Sequence, residues 1–574
     1  MERPLLQLMD FTSLYAVVED FRKIIIPSKF EKAQQPDKNT IQLGMRTYKE
    51  LKWIEISWIA EAPRIVEIPP PNRKGNESTL AKQLQHLLSE MALVEINQED
   101  FERVVELKFA NRPGGEILKT VVIEIMGRHS NLLLLDKDRK IITLGRQVRE
   151  HQSRLRPLST GDIYSPPPIL KGIKPSLKEP FNKWRNRLCL IPNKFKKSLQ
   201  QTYQGVSPAL TLQIAGPCKK QSLALTESST IDLSNNQWEL LYKNWTYWLL
   251  SIKEKNFCLS FEGSTPFQVW NYSKEKIIKN NDLSLSLGIY YKDHIEYKRI
   301  ENSSQLIRNK LVRARYSETL NLQEQNNLLS KTTENNFIQR MADELLTKPK
   351  PSKTEIKQAQ NLYSKAKKLR RSIPLIKERI DHHSLQIKNI DLTELFLEEI
   401  LENEWENKHE KIENIISLEN EIDELFSKEK NKNKQNNKHS NKYMKIMEFK
   451  SPNGLIIQIG RNHRQNELIS FKKARKGDLW FHAQECPGSH VILKSSNGSA
   501  EEEDLQVAAN LAALFSRAKR NNKVSVSVVP AKSLKRLNSS VPGSLSFQGG
   551  NIIWGKPANA IQYLKHENIE VNIK

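Results

Sequence analysis

The sequence predicts a multidomain α+β protein that contains an α+β N-terminal domain, a helix-hairpin-helix segment, a long antiparallel coiled-coil hairpin and an α+β C-terminal module. The chain has 574 residues, and a single hydrophobic core stops growing at about 250 to 300 residues, so several domains are needed. Apolar residues near both ends alternate or run in blocks of strand length. In the middle of the chain they recur every three or four residues, which is typical of a coiled coil.

Residues 1–168 are predicted to form the N-terminal α+β domain, because short apolar segments of strand length alternate there with polar turns. The three consecutive prolines at 166–168 close the domain. The predicted strands cover residues 40–44, 53–59, 104–109, 121–126 and 132–136.

Residues 169–289 are predicted to contain the helix-hairpin-helix segment and a connection. The sequence Gly205-Val206-Ser207-Pro208 precedes the apolar helix predicted at 209–215. A glycine-containing turn between two short helices can offer backbone amides to phosphates. The same pattern is typical of an ordinary turn between helices, so both interpretations stay open.

Residues 290–427 are predicted to form a coiled-coil arm. Apolar residues from Leu362 to Leu401 are spaced by three and four, which defines a seam that needs a partner helix. The preceding helix, at about 300–346, is separated from this seam by the proline-rich stretch 348–352, so the two helices are predicted to form an antiparallel hairpin. Pro374 predicts a kink, or a second helix start with Ser372 as its N-cap.

A basic, disordered linker is predicted at 428–443, since residues 428–442 include no apolar side chain. The C-terminal module follows at 444–574, with a helix whose apolar stripe runs from Leu505 to Phe515 and is expected to face a sheet. The predicted strands of this sheet cover residues 455–459, 478–483, 490–494, 524–529 and 551–554.

The charge balance predicts a polyanionic partner. Lys and Arg number 90 against 66 Asp and Glu, which gives a net charge of +24, as expected for a protein that binds nucleic acid. A membrane surface is the competing partner. However, no apolar run approaches the ~18 residues of a spanning helix, and the N-terminus lacks the apolar stretch of a signal peptide. We therefore expect no membrane association.

Neither a metal site nor a catalytic site is predicted. The four cysteines are scattered without a Cys-x-x-Cys pair, which excludes a zinc ribbon and a disulfide framework and indicates a reducing compartment, most simply the cytoplasm. His463, His482 and His490 lie close in sequence, but no Cys, Asp or Glu completes a recognisable ligand spacing. Without a nucleophile elbow or a Walker loop, no enzyme activity and no cofactor are expected.

The strongest signal for RNA binding lies in residues 460–493. Cationic and aromatic side chains occur there among tight-turn residues, as binding of an RNA backbone with stacking on its bases requires. Because successive strand residues point to opposite faces, at most one of Trp480 and Phe481 can stack on RNA. The predicted RNA-binding residues are Arg461, Arg464, Arg475, Trp480, Lys532, Lys535 and Arg536.

Three segments resemble the NFACT family, in the order that the family has them. They are Glu124-Ile-Met-Gly-Arg-His-Ser-Asn131, Gly205-Val-Ser-Pro208 and the sequence 460–493. The resemblance extends over nearly the whole chain and implies that the N-terminal domain holds tRNA. The tRNA-binding residues that it implies are Glu102, Arg103, Glu124, Ile125, Met126 and Arg128.

Two features depart from the NFACT pattern. The Asp-Arg pair of the family falls on Glu102 and Arg103, so the negative charge is kept while its reach grows by one methylene. The sequence also lacks the small β module that many members insert between the two long helices. Without the resemblance, Arg103 and Glu124 could form an ordinary ion pair within the sheet, and Arg128 with His129 an ordinary turn.

The resemblance implies a factor for ribosome quality control. Such a factor binds stalled large (50S) ribosomal subunits that carry peptidyl-tRNA, with tRNA and rRNA as its partners. It recruits tRNA, alanyl-tRNA in bacterial relatives, for untemplated C-terminal alanine tailing that promotes degradation of the nascent chain. A small accessory RNA-binding factor is left open as a further partner.

Two alternative functions are also considered. Relatives have been called fibronectin-binding proteins, which suggests a surface adhesin, but the expected absence of a signal peptide and an anchor argues against export. The N-terminal domain of the family is also similar in fold to base-excision DNA glycosylases. Those enzymes attack with a proline exposed by loss of Met1, whereas position 2 is Glu2 here and Pro4 is displaced.

Overall fold

The computed structural model of the protein divides into two compact units, Met1–Ile295 and Glu296–Lys574. Within the ranges that it describes, no helix combines the length and the apolar character needed to cross a membrane. The predicted linker 428–443 lies outside these ranges. The described residues are 6–71, 78–149, 156–168, 172–272, 282–332, 334–349, 352–402, 408–426, 446–537 and 542–566.

A nine-stranded antiparallel sheet is the framework of the first unit. Its strands are β1 (Ser28–Asp37), β2 (Thr40–Arg46), β3 (Leu51–Ser57), β4 (Arg64–Ile68), β5 (Ala92–Gln98), β6 (Val104–Ala110), β7 (Lys119–Glu124), β8 (Asn131–Leu135) and β9 (Ile141–Leu144). Their order across the sheet is β4-β3-β2-β1-β5-β6-β7-β8-β9. The five predicted strands are confirmed as β2, β3, β6, β7 and β8. β1 was missed because it is rich in Lys, Glu and Gln and contains Pro36, residue types that are depleted in strands.

Seven helices lie wholly within the described part of the first unit. They are α1 (Phe11–Ile24), α2 (Thr79–Leu87), α3 (Phe181–Cys189), α4 (Phe195–Thr202), α5 (Pro208–Ala215), α6 (Lys219–Glu227) and α7 (Asn235–Glu254). α1 begins at a capping box, in which the Asp10 carboxylate accepts the Ser13 N–H at 2.9 Å. α1 and α2 contribute buried side chains to the core of the sheet, and α3 to α7 surround a separate core that contains five tryptophans. The start of α8 (Leu283–Thr332) adds Leu283, Leu287, Tyr290 and Tyr291 to the core of the sheet.

The predicted turn between two short helices is found between α4 and α5. Gly205 has a φ of +73°, and a Cβ at this position would lie 3.1 Å from the Phe101 ring, so only glycine fits without strain. Ser207 caps α5 by accepting the Leu210 N–H at 2.9 Å. Its hydroxyl also donates to the Asp10 carboxylate at 2.5 Å. An internal carboxylate therefore lies beside the N-cap of α5, and phosphate binding at this turn stays a prediction.

The arm is built from α8 (Leu283–Thr332), α9 (Asn335–Leu346), α10 (Lys353–Glu402) and α11 (Lys408–Phe426). The predicted antiparallel hairpin is confirmed, because His383 of α10 contacts Glu318 of α8 at 2.6 Å while the later Asp391 contacts the earlier Arg315 at 2.6 Å. The predicted helix restart is wrong. α10 continues through Pro374, and the Ser372 hydroxyl donates to a carbonyl of its own helix at 2.7 Å.

At its base the arm has a third helix that the sequence reasoning did not separate. α11 adds its apolar side chains to those of α8 and α10, and together they form one closed core. Its fully buried members include Ile307 and Leu311 of α8, Ile390 and Phe396 of α10, and Leu418 of α11.

The C-terminal module is an antiparallel six-stranded sheet with helices. Its strands are β10 (Met447–Lys450), β11 (Ile456–Ile459), β12 (Leu479–Ala483), β13 (Val491–Leu493), β14 (Val524–Pro530) and, after the small hairpin β15 (Lys535–Arg536) and β16 (Leu545–Ser546), β17 (Asn551–Gly555). The order is β10-β11-β13-β12-β14-β17, which confirms the five predicted strands and adds β10. The helices are α12 (His463–Glu467), α13 (Glu502–Leu514) and α14 (Pro557–His566). α13 and α14 cover one face, and a π-helical segment, Leu468–Lys473, covers part of the other.

Candidate nucleic-acid interface

The signature segment 124–131 forms the end of β7, a 3₁₀ turn over Gly127–His129, and the start of β8. Gly127 has a φ of +57°, which suits glycine. The Met126 N–H donates to the Ser130 hydroxyl at 2.8 Å. Asn131 ties the turn to the segment after β9, because its amide nitrogen donates to the Arg146 carbonyl at 2.8 Å and its amide oxygen accepts the Arg146 N–H at 2.9 Å. These residue types thus fix the position of a tight turn.

Glu124 is buried, with 1% of its surface exposed. Its carboxylate accepts two hydrogen bonds from the Arg156 guanidinium, at 2.5 and 3.0 Å, and one from the Tyr164 hydroxyl at 3.0 Å. Burial, with the Glu124 charge beside it, raises the pKa of Tyr164, so this hydroxyl stays protonated and donates. The alternative interpretation, in which Glu124 forms an ion pair with Arg103, is wrong, because the partner of Glu124 is Arg156.

Two of the residues implied for tRNA binding are therefore inaccessible. The Glu124 carboxylate is fully used inside the protein, and Ile125 is 1% exposed within the sheet core. The structure contradicts direct contact of either side chain with tRNA. Their physical role is to hold the end of β7, from which the turn projects.

Three arginines and a histidine gather around this turn. The Ile125 N–H donates to the Arg103 carbonyl at 2.9 Å, which fixes the start of β6 beside the end of β7. Arg103 is half-buried, and Arg128, His129 and Arg146 are exposed. The Arg146 guanidinium donates to the Arg128 carbonyl at 2.9 Å. We call Arg103, Arg128 and Arg146, together with the neighbouring His129, the cationic edge.

Glu102 lies next to the cationic edge. It follows Phe101, which has a φ of +62°, so the chain turns sharply between β5 and β6 and presents Glu102 and Arg103 together. Both are half-buried, and Met126 is half-buried as well. Glu102, Arg103, Met126 and Arg128 thus remain candidates for contact with tRNA.

The buried pair gives the first prediction. Arg156→Ala should lower the free energy of unfolding by about 3–5 kcal/mol, because it leaves the Glu124 carboxylate buried without its charged partner. Lys108→Ala is the control, since Lys108 forms an exposed cross-strand pair with Glu95 and such pairs contribute about 0–1 kcal/mol. Urea unfolding of both variants measures the difference. Equal losses of unfolding free energy in the two variants would mean that the buried pair is not required for the stability of the fold.

In the C-terminal module, Trp480 is 1% exposed. It lies on the central strand β12 and packs among Ile469, Ile492 and Val529 under the π-helical segment. Phe481 is fully buried on the opposite face, under α13. The prediction that Trp480 stacks on RNA is therefore wrong for this structure. It failed because both faces of the sheet are covered at β12.

Arg461 and Arg464 contact the arm instead of solvent. Arg461 is 8% exposed and faces Glu399 of α10. Burial lowers the pKa of Arg461 to about 10 and raises the pKa of Glu399 to about 8. The Arg464 guanidinium forms an ion pair with Glu424 of α11, and its backbone N–H donates to Glu421 at 3.4 Å. The burial of Arg461 contradicts its direct contact with RNA. To bind RNA, Arg464 would have to break its ion pair with the Glu424 carboxylate.

The remaining predicted cations lie on one surface. Arg475, Lys532, Lys535 and Arg536 are exposed. Two contacts bring their segments together: the Ala531 N–H donates to the Asp478 carbonyl at 2.9 Å, and the Arg536 guanidinium lies 5.3 Å from the centre of the Phe471 ring. Arg536 also forms an ion pair with Glu467. With the exposed side chains of Lys472, Lys473 and Lys476 they make up what we call the basic face: Lys472, Lys473, Arg475, Lys476, Lys532, Lys535 and Arg536.

The sequence around this surface has an unusual charge distribution. Between Asp504 and Glu567 there is no acidic residue. Over the same stretch the chain carries nine cations, so a polyanion would meet no negative side chain from it. They are Arg517, Lys519, Arg520, Lys523, Lys532, Lys535, Arg536, Lys556 and Lys565.

Two sequence profiles match the chain. Residues 10–350 match the profile of the NFACT N-terminal and middle domains, and residues 445–549 match that of the NFACT protein RNA binding domain. The chain belongs to the NFACT family. The cationic edge lies within the first match, and the basic face lies within the second.

Proteins similar to this NFACT chain include the Rqc2 homolog RqcH of Streptococcus pneumoniae serotype 2 (strain D39 / NCTC 7466). It is 26% identical over 566 residues, which cover 93% of this chain and 95% of the relative. The Rqc2 homolog RqcH of Bacillus subtilis (strain 168) is 22% identical over 580 residues, with coverages of 95% and 97%.

Two of the solved structures similar to this NFACT chain come from Streptococcus suis. The C-terminal part of its fibronectin/fibrinogen-binding protein aligns with 46% of this chain and 98% of that structure, at 24% identity and a TM-score of 0.38. The N-terminal part of the same protein aligns with 50% and 99%, at 21% identity and a TM-score of 0.37.

The three histidines of the NFACT RNA-binding domain are structural in this conformation. Burial lowers the pKa of His463 to about 4 and also lowers the pKa values of His482 and His490, so all three are neutral at pH 7. In the described part of the chain no group of three or more His, Cys, Asp or Glu could hold a metal ion. Each of the three histidines has a hydrogen-bond partner: the Thr393 hydroxyl for His463, the Gly488 carbonyl for His482 and the Ser470 hydroxyl for His490.

Sequence reasoning missed part of both cationic surfaces of this NFACT chain. Arg146 was overlooked because its link to the signature turn runs through Asn131, 15 residues earlier, and only the sheet brings the two together. Lys472, Lys473 and Lys476 were overlooked in favour of the arginines, although they surround Arg475 in sequence. The absence of acidic residues between 504 and 567 was a signal that could have directed attention to the basic face.

Proposed function

We propose that this chain is a ribosome quality control factor. It binds stalled large ribosomal subunits that carry peptidyl-tRNA, and it recruits tRNA for untemplated C-terminal alanine tailing of the nascent chain, which then is degraded. The observation that carries the proposal is that both NFACT profiles occur in one chain and that the RqcH relatives align over 93% or more of it.

The two cationic surfaces give the proposal a physical basis. The cationic edge offers guanidinium groups at a rigid strand end, and guanidinium binds phosphate with two parallel hydrogen bonds. The basic face offers a cluster of lysines, which suits contact with an RNA backbone without selection of sequence. In this proposal the cationic edge holds tRNA, and the basic face holds tRNA or rRNA.

Peptide-bond formation belongs to the ribosome in this proposal. The chain binds and positions tRNA, the arm contacts the large subunit, and the protein acts in the cytoplasm. Catalysis by the chain itself is not required, because positioning a reactant beside an existing catalytic centre is enough to direct it.

The test is affinity purification of the tagged full-length chain from its own cells, followed by sequencing of the bound RNA and mass spectrometry of the bound nascent chains. We expect rRNA of the large subunit, enrichment of tRNA, and nascent chains with C-terminal alanine additions that disappear when the chain is deleted. Recovery of large subunits with unextended nascent chains would reject the tailing step. Recovery of no ribosomal RNA would reject the proposal.

The basic face gives a second prediction. Combined Lys472→Gln, Lys473→Gln and Lys476→Gln should weaken tRNA binding and reduce the slope of log affinity against log salt by about 2, since each lost phosphate contact removes about 0.7–0.9 from the slope. Electrophoretic mobility shift at several salt concentrations measures the slope. The control carries Gln at the exposed Lys32, Lys38 and Lys49. A slope equal to that of the control would remove the basic face from the tRNA interface.

A further inference from the structure

One part of the C-terminal sheet exposes apolar side chains. β17 is an edge strand, and its Ile552 and Trp554 are 57% and 59% exposed. Both project from the face opposite α13, because alternate residues of a strand point to opposite sides and the intervening, partly buried Ile553 packs against the core beneath α13. In the register of the sheet, Ile552 lies beside Ser527 and Trp554 beside Ser525 of β14. We call Ile552, Trp554 and these serines the open strip.

The open strip continues a row of rings inside the same face. Ser527 lies beside His482 in the register of β12 and β14. The His482 ring is stacked parallel to that of Trp480 at 5.5 Å, and the Phe547 ring packs on Trp480 at 5.2 Å. Phe547 is 36% exposed. The face thus passes from a covered aromatic core to an uncovered aromatic side chain, within the residues that the structure describes.

Cations lie beyond both ends of the open strip. Lys523 precedes β14 and Lys556 follows β17, and the pairing of Val524 with Gly555 places these two lysines at the same end. Lys532 and Lys535 follow the other end of β14. β14 has seven residues and is therefore about 23 Å long. Because the strip lies in the stretch without acidic residues, its own segments add cations and no negative side chain along this length.

We propose that the open strip is a stacking site for unpaired RNA bases, with Trp554 as the principal stacking residue. The site joins an exposed aromatic ring on a sheet to cations beyond both ends, which is how proteins bind single-stranded RNA: bases stack on the ring while lysines contact the phosphates. Paired bases do not fit, since their faces are covered by their neighbours. The inference rests on the proposed RNA-binding function and adds the class of nucleotide that this surface takes.

An extended peptide is the other occupant that an edge strand with apolar side chains could accept. The charge distribution favours RNA. Lys556, directly after the edge strand, discourages pairing with another strand, and the carbonyl of Trp554 already accepts a hydrogen bond from the Gln506 side chain at 2.9 Å.

The test compares Trp554→Ala and Trp554→Phe in the full-length chain. The probes are a single-stranded uridine oligomer of about 12 nucleotides and an RNA duplex of equal length. Stacking on an aromatic ring predicts that Trp554→Ala weakens binding of the oligomer about tenfold, that Trp554→Phe restores most of the affinity, and that duplex binding is unchanged. Fluorescence anisotropy of labelled RNA measures these affinities for the oligomer and the duplex. Unchanged thermal unfolding, expected for a side chain 59% exposed, shows that the variants are folded.

The outcomes separate this inference from the proposed function. Unchanged oligomer binding by Trp554→Ala, while the wild-type chain binds both RNAs, overturns the stacking site and leaves the proposed function intact. Equal losses for oligomer and duplex also overturn it, since the effect would then not depend on unpaired bases. A wild-type chain that binds neither RNA contradicts the proposed function itself.

Discussion

Replacement of Arg103 and Arg128 by alanine is expected to abolish tRNA recovery with the chain while large-subunit association remains. Both side chains belong to the cationic edge, and a hydrogen bond to a charged group contributes about 1.5–3 kcal/mol. Loss of two such contacts predicts a fall in tRNA affinity of about 100-fold or more. Co-purification followed by quantitative sequencing of tRNA and rRNA measures both associations in one sample.

The matched control for this variant is Arg112→Ala. Arg112 is exposed in the loop between β6 and β7, at the opposite end of the same two strands. Its replacement therefore removes a positive charge from the domain but leaves the cationic edge unchanged. The prediction is contradicted if the double variant, folded as judged by thermal unfolding, still recovers tRNA at the level of Arg112→Ala. The resemblance-based assignment of tRNA to this domain would then be incorrect.

Shortening the arm is expected to abolish stable cosedimentation with large subunits. The outer hairpin exposes Leu328, Phe337 and Met341 by 41%, 65% and 41%, and we expect these apolar side chains to contact the subunit. Replacing residues 320–381 with a short glycine-serine turn removes about 45 Å of hairpin. It keeps the Glu318–His383 contact and the core at the base. Sucrose-gradient sedimentation with purified subunits measures the loss.

This variant should still bind free tRNA, because both cationic surfaces lie outside the deleted residues. A deletion of about 300–430 would be a poorer test, since it removes Glu399, Glu421 and Glu424, which Arg461 and Arg464 contact. Cosedimentation of the shortened chain at the wild-type level would show that the arm is a spacer. Subunit contact would then have to be assigned to the terminal domains.

The sequence predicted the elements well where local patterning decides them. The heptad spacing from Leu362 to Leu401 predicted the hairpin, and alternating apolar residues predicted five of the nine strands in the first sheet. It failed where distant segments determine the environment. Ser372 follows the rule for an N-cap, but α10 continues through Pro374. β1 formed because its neighbours supply hydrogen bonds, although its own composition is unfavourable.

The candidate site was predictable in type but only partly in position. Charge and aromatic content indicated RNA, and Arg475 lies on an exposed surface. Trp480 and Arg461 were misassigned for one reason: a residue's exposure depends on what covers it, and the covering segments lie elsewhere in the chain. Trp480 is covered by the π-helical segment and Arg461 by α10. Trp554 is also an aromatic residue on a strand, but no segment covers it within the described residues, and nothing in its local sequence shows that it is exposed whereas Trp480 is buried.

The contact of the C-terminal module with α10 has a consequence for how this architecture can be inherited. The His463 ring packs edge-on against Phe396 at 5.5 Å and shares a 3.0 Å hydrogen bond with the Thr393 hydroxyl, 70 residues earlier in the chain, so part of the module's interior is supplied by α10. A gene rearrangement that moved residues 445–549 alone would expose His463 and Arg461, which are buried here, to water. The smallest piece that can be transferred intact between proteins is therefore the module together with the base of the arm.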